Sequence, residues 1–286
     1  MFVQNFYMKK ILFASLMMLN IAGFAQIKMP APSPTQTISQ DFGLGKLEIT
    51  YSRPSVKNRQ IFKENSELAP LGKVWRTGAN FATKIKITDP CTIAGNALDT
   101  GVYAIYTIPG KTDWTFIINK ESKKWGTQYN QEGDVFRAVV PVQKKKDFVE
   151  TFSIEFGNVK AETCDLQLMW ANVLVSIPIS TNIKERVRAQ VTTALSKDSV
   201  TWQTYQQAAN FYYDLDKDYA KALTNITKAI DGKTDKFWLL LMKAKIERDM
   251  GDKIAAKTSA EACKASAAEQ KNDDYVRSAT ELINKL

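Results

Sequence analysis

The chain has 286 residues, with 39 Lys and Arg against 30 Asp and Glu, a formal charge of +9. At 44% hydrophobic and 24% charged residues it is a globular composition with material for a sizeable core, which excludes the disordered and collagen-like classes. Histidine is absent, and with it go the commonest general base near neutral pH, the usual partner of Ser and Cys nucleophiles, and the commonest ligand of zinc, copper and haem. No motif groups the remaining Asp, Glu, Lys, Tyr, Ser and Cys side chains, so no catalytic residue, metal ligand or cofactor is assigned.

In chain order, Met8-Lys9-Lys10 precedes the apolar run 11–19, and Gly23-Phe24-Ala25-Gln26 places small residues three and one before a cleavage point. This is the pattern of a secretory signal peptide over 1–25, and the apolar run is shorter than the roughly 20 residues of a membrane span. The reading predicts a periplasmic or secreted chain without a stable membrane anchor. Loss of Lys9 and Lys10 lowers the charge to +7, enough to attract anionic glycans or acidic ligands, though the lysines are scattered in the manner of a solvated surface. Nucleic acid is a poor partner for an exported protein. Cys91, Cys164 and Cys263 lie far apart and form no CxxC pair, and sequence alone does not decide whether Cys91 and Cys164 are bridged.

Residues 26–35 form a leader with Pro30, Pro32 and Pro34, too proline-rich for helix or sheet. Over 36–180 apolar residues alternate, as in Leu47/Ile49/Tyr51, Ile85/Ile87, Phe116/Ile118 and Phe152/Ile154/Phe156, with turn residues at Gly43, Asp89-Pro90, Gly95-Asn96 and Pro109-Gly110 between the runs. Such alternation predicts an antiparallel β-sandwich. The phase slips near Ala171-Asn172, which marks either a tight hairpin or a bulge. Trp114 with Trp125, and Tyr103 with Tyr106, are read as core or cross-strand pairs.

From 181 to 286 the period becomes helical. Ile183, Val187, Val191 and Leu195 share one face, with Asp198 or Ser199 as the next cap. An offset of 34 residues then carries Asp218 to Asp252, Asn210 to Ala244, Ala222 to Ala256 and Ala229 to Cys263. That period predicts an α-helical tetratricopeptide-like repeat domain, whose concave face suits a peptide or protein partner. Trp202, Tyr205, Tyr212, Tyr213 and Trp238 are assigned to the seams between helices.

The densest polar segment lies between Tyr51 and Thr83. It holds Arg53, Lys57, Arg59, Arg76, Trp75 and Asn80, with Glu64 and Glu67 as its only acids. Arginine forks suit carboxylate, phosphate or sulfate, and an indole suits a sugar face, so Tyr51, Arg53, Lys57, Arg59, Trp75, Arg76, Asn80 and Thr83 form a candidate anion- or glycan-binding set. The competing reading is that the same side chains pin a long irregular crossover by satisfying its carbonyls.

The strings Tyr51-Ser52-Arg53-Pro54-Ser55-Val56-Lys57, Gly72-Lys73-Val74-Trp75-Arg76-Thr77-Gly78-Ala79-Asn80, Gly101-Val102-Tyr103 with Thr107-Ile108-Pro109-Gly110, and Lys124-Trp125-Gly126 resemble an exported bacterial family catalogued as domain of unknown function 2911. Asn58 stands where that pattern has Gly. The resemblance covers about 36–179, and implies a periplasmic β-rich module without an established activity or cofactor. The expectation is therefore a binding or assembly protein. A metal-independent carbohydrate-active enzyme using Asp and Glu, and a purely structural envelope scaffold, are the alternatives.

Overall fold

The computed structural model describes residues 29–231 and 235–286, and the expected signal peptide lies outside them. The described residues form an antiparallel nine-stranded sheet followed by six α-helices. The strands are β1 (Thr35–Phe42), β2 (Gly45–Ser52), β3 (Thr83–Ile87), β4 (Cys91–Ile93), β5 (Asn96–Leu98), β6 (Gly101–Ile108), β7 (Asp113–Asn119), β8 (Asp134–Gly157) and β9 (Thr163–Ser180), in the order β1-β2-β3-β6-β7-β8-β9-β4-β5. The alternation read from the sequence sets the faces. Leu47, Ile49, Ile85, Ile87, Ile105, Phe116 and Ile118 point into one core and meet Phe152, Ile154, Leu166, Leu168, Trp170 and Ile177 there.

β8 joins the two ends of the strand order. It pairs with β7 through Asp134–Pro141 and with β9 from Val142 to Gly157, with register shifts between Lys144 and Ser153. On β9 the phase slip is a bulge and not a hairpin. Ala171 takes φ +50° inside a continuous strand, and the Asn172 amide donates to the carbonyls of Lys145 and Lys146 across the gap.

The helices are α1 (Lys184–Leu195), α2 (Trp202–Phe211) continuing into a π-turn at Tyr212–Asp216, α3 (Tyr219–Ile230), α4 (Phe237–Asp249), α5 (Lys253–Glu269) and α6 (Asp273–Asn284). None of the described helices is long and apolar enough to cross a membrane. Thr201, not Asp198 or Ser199, caps α2 by accepting from Thr204 N. Asp218 and Asp252 cap α3 and α5 with matching backbone angles, each preceded by a left-handed residue, Lys217 or Gly251. The 34-residue offset therefore holds for the caps, and Ala222, Ala256, Ala229 and Cys263 are all fully buried. The pairing of Asn210 with Ala244 is corrected, because Asn210 is exposed while Ala209 and Ala244 are both buried. α2 and α4 start at Trp202 and Phe237, one residue further apart than the caps. The π-turn absorbs that extra residue.

Sheet and helices meet through defined contacts. Asp89, in the turn after β3, holds Arg186 of α1 in a two-pronged bond, both prongs 2.7 Å. Glu162, just before β9, accepts from the first free amides of α1, Ile183 N at 2.9 Å and Lys184 N at 3.3 Å. Gly43, at φ +61°, leaves no space for a side chain, since a Cβ would stand 2.9 Å from Thr181.

Candidate functional site

The predicted residues divide into an interior group and a surface group. Tyr51 is buried at 2% exposure, accepts from Ile154 N at 2.9 Å and donates to Gln36 at 2.8 Å. Burial is the main reason its phenol pKa is raised. Trp75 is also interior. Its ring stacks on Trp170 at 5.6 Å, meets Trp114, Phe152 and Phe62 edge-on, and its indole N–H donates to Gly78 O at 3.0 Å. Trp75 therefore presents no open face to a sugar. Thr83, fully buried, donates to Thr77 O at 2.6 Å.

Two arginines hold the crossover to its neighbours. Arg53 donates to Phe152 O at 3.1 Å and to Ser153 Oγ at 2.8 Å, while Arg59 donates to Val56 O at 3.1 Å and to Ser55 O at 2.6 Å. Arg59 also lines a groove of about 260 Å³ with Gln60, Asn65, Glu67 and Leu68. Lys57 is exposed, and its backbone amide donates to Glu150 at 2.8 Å. Lys57 and Asn58 both take left-handed angles, φ +47° and +58°. Asparagine tolerates that region better than most residues, so the turn survives without the glycine of the family pattern.

Arg76 and Asn80 behave differently, and they lead to residues the sequence reading had placed elsewhere. Trp75 pairs with Thr107 as an isolated bridge and points inward, so Arg76 emerges on the outer face beside Tyr106 of β6. Its NH1 donates to Asn80 O at 3.1 Å, and its other N–H groups donate to no described residue. Asn80, at φ +59°, donates to Ser33 O and Ser52 Oγ, tying the leader to the sheet, and its own side-chain oxygen accepts from no described residue.

Next to Arg76 lies an exposed aromatic pair. Phe81 and Trp125 are 51% and 43% exposed, with ring centroids 4.4 Å apart and planes at 69°. Lys84 Nζ stands 5.8 Å from the Phe81 ring centre. Trp125 is thus neither a core residue nor a partner of Trp114, which is 2% exposed inside the sheet. Tyr103 and Tyr106 lie on opposite faces of β6, and Tyr106, 1% exposed, is a core residue as expected, packing edge-on to Tyr129 at 4.9 Å in a small cluster with Ala82, Ala104 and Ile117. The sequence signal for Trp125 was its setting in a lysine-rich, turn-like segment, Lys123-Lys124-Trp125-Gly126, where an interior indole has no strand to sit on.

The segment between β7 and β8 is fixed at both ends. Asn119, 1% exposed, donates to Asn130 O and to Asp134 Oδ1, both at 2.9 Å, and accepts from Glu121 N at 2.8 Å. Asp134 also takes the Tyr129 hydroxyl and Arg137 Nε, each at 2.7 Å. Burial first, and the Asp134 bond second, push the Tyr129 phenol up to about 12. The middle of the segment is held by Gly126, where a Cβ would fall 2.5 Å from Arg76 Cδ and 2.8 Å from Asn80 O. A backbone bridge between Phe81 and Trp125 completes the contact. The aromatic pair is therefore a placed feature, because close approach at Gly126 seats Trp125 beside Phe81.

The three cysteines are unbridged and buried. Burial pushes the thiols of Cys91, Cys164 and Cys263 up to about 11, about 12 and about 11, far from thiolate chemistry at neutral pH.

Residues from each of the four strings that carry the family resemblance meet in this region: Arg53 holds the crossover, Arg76 bonds Asn80, Thr107 receives Trp75, and Gly126 receives Arg76. None of the curated proteins matches the chain. A family model described as "Protein of unknown function (DUF2911)" matches residues 33–179, slightly more than half of the sequence, and the chain belongs to that family.

Proposed function

We propose that the chain is an exported binding protein in which an antiparallel β-sandwich accepts an anionic or glycan ligand and a tetratricopeptide-like helical domain offers a face to a peptide or protein. The sandwich reading is supported by the single core that residues of β2, β3 and β7 share with residues of β8 and β9. The repeat reading is supported by the matched caps of α3 and α5 and the small residues buried behind them. Export rests on the signal-peptide pattern of 1–25.

One observation carries the ligand site: the exposed Phe81–Trp125 pair, fixed edge-to-face beside an arginine that makes one side-chain hydrogen bond among the described residues. Flat exposed rings next to polar donors suit a pyranose, whose C–H face stacks while its hydroxyls bond. The test is binding of the purified chain to an oligosaccharide panel, followed by titration of the best member. Trp125→Ala, with an unchanged circular dichroism spectrum, abolishes binding if the reading is right. Retained affinity in that variant removes the site.

A second reading has one supporting observation. Glu64 and Asp113 line one groove of about 370 Å³ with Lys111 and Gly72, and paired carboxyls are what glycoside hydrolysis needs. Turnover of aryl glycosides that vanishes in both Glu64→Gln and Asp113→Asn supports it, and absence of turnover in the unaltered chain ends it.

A further inference from the structure

We infer that the ligand of the Phe81–Trp125 surface is an acidic oligosaccharide, whose carboxylate or sulfate is held by Arg76 while the ring bearing it lies on the aromatic pair. This rests on the glycan reading above and sharpens it from sugar or anion to a sugar that carries its own anion.

The charges around the rings support this assignment. On the outer face of β3, Lys84 and Lys86 follow Phe81, and Lys123 and Lys124 precede Trp125. Two of these lysines face acids, Lys124 bonding Glu121 at 2.8 Å and Lys86 lying directly across from Glu48 in the β2–β3 register, which leaves Arg76, Lys84 and Lys123 as the cations that form no ion pair among the described residues. A neutral sugar gives such a cationic rim nothing to neutralise. An isolated inorganic anion gives no reason for two large rings to stay exposed when each would contribute more inside a core.

Arg76 is the residue built for the anionic group. Its stem is trapped against Gly126 and one nitrogen is tethered to Asn80 O, so the guanidinium plane is set before any ligand arrives. The Nε and NH2 edge is left for two parallel N–H bonds to a planar carboxylate or two sulfate oxygens. Because the fork is preorganised, little side-chain freedom is lost on binding. Lysine in its place would keep the charge and lose the fork.

The experiment compares uronate, sialylated and sulfated oligosaccharides with their carboxyl-reduced or desulfated counterparts, by titration calorimetry on the full chain, with inorganic sulfate as the anion control. The inference expects at least one acidic member to bind at least tenfold more tightly than its neutral counterpart. Arg76→Lys then weakens the acidic sugar about tenfold more than its neutral counterpart, a difference of ~1.4 kcal/mol. Equal affinity for an acidic sugar and its neutral counterpart, with both lost in Trp125→Ala, overturns the inference and leaves the glycan reading standing. Sulfate binding as tight as any oligosaccharide and indifferent to Trp125→Ala overturns both. A panel in which neutral sugars bind and no acidic sugar does overturns the inference alone, and one in which no sugar binds overturns both.

Discussion

Replacing Gly126 by Ala tests how the surface is built. The added methyl would stand 2.5 Å from Arg76 Cδ, 2.8 Å from Asn80 O and 3.0 Å from Ala82 N. The arginine stem can give way only by losing its bond to Asn80 O, and the two backbone atoms belong to a segment bonded to β2 and β6 and cannot move. Overpacking of this kind costs about 1–3 kcal/mol. The backbone angle of Gly126 is open to any residue, so the substitution also gains about 0.4–1 kcal/mol by restricting the unfolded chain. Sterics win by ~1–2 kcal/mol, and the cheapest relief is for the segment between β7 and β8 to lift. Lifting breaks the Phe81–Trp125 contact, which is worth about 0.5–1.5 kcal/mol itself. For a chain of this size the expected fall in melting temperature is roughly 2–4 °C per kcal/mol, with secondary structure intact by circular dichroism and altered Trp fluorescence from the moved indole. Gly126→Ala with unchanged melting temperature and unchanged fluorescence would refute the claim that close approach at this position places the rings.

The two tryptophans of the family strings should separate cleanly in urea unfolding. Trp75→Ala empties the centre of a five-ring cluster and costs about 3–5 kcal/mol, while Trp125→Ala costs less than about 1.5 kcal/mol because its ring is already 43% exposed. The junction responds to acid. The bond from Arg186 holds the Asp89 carboxyl below the ordinary carboxylate value, so its stabilising contribution is complete above that value, near pH 4, and is lost as pH falls through the lowered one. In acid-unfolding curves between pH 6 and 2, the advantage of the unaltered chain over Asp89→Asn therefore shrinks toward the low end, and a constant difference would contradict the assignment. Finally, a thiol reagent at pH 8 should leave Cys91, Cys164 and Cys263 unmodified in the native chain and label all three in urea, consistent with burial and raised thiol values. Rapid native labelling would show that the packing around them opens.

The strands were legible because both of their faces are chemically distinct, as in Leu47, Ile49 and Tyr51 set against Glu48 and Thr50. The one helix cap read from the sequence, Asp198 or Ser199, fell short of Thr201, whereas Asp218 and Asp252, matched only by the 34-residue offset, each bond an amide three residues ahead. What escaped the sequence depends on contacts between distant segments. A one-residue insertion in α2 shifts every comparison before Asp218, and only the π-turn reveals where it sits. Trp75 and Trp125 look alike in a list of aromatic residues. One is drawn inward by pairing with Thr107, and the other is held outward by Gly126 against a backbone more than forty residues earlier. Within the candidate set Arg76 bonds Asn80, but Phe81 and Lys84, outside that set, gain meaning only when Trp125 arrives. For Arg53 and Arg59, the pinning alternative describes the carbonyl bonds they make.

The strand order has a consequence for how the chain reaches this structure. β4 and β5, made early, find their place only against β9, where Thr92 faces Ser180 and Ile93 faces Ile179. Pro54 and Val56 likewise wait for Phe152 and Glu150. A chain emerging from the ribosome N-terminus first holds these segments without partners until residue 180 is available, and closing loops of such length is slow. The nascent sheet is thus a set of unclosed hairpins with Ile93 and Trp75 uncovered, a state that either binds a chaperone or aggregates. Completion falls within a few residues of α1, so Glu162 and Asp89 become competent to receive the first helix at the moment the sheet closes. Truncation before β9 should yield an insoluble product, whereas truncation after Ser180 leaves a sheet with all its strands.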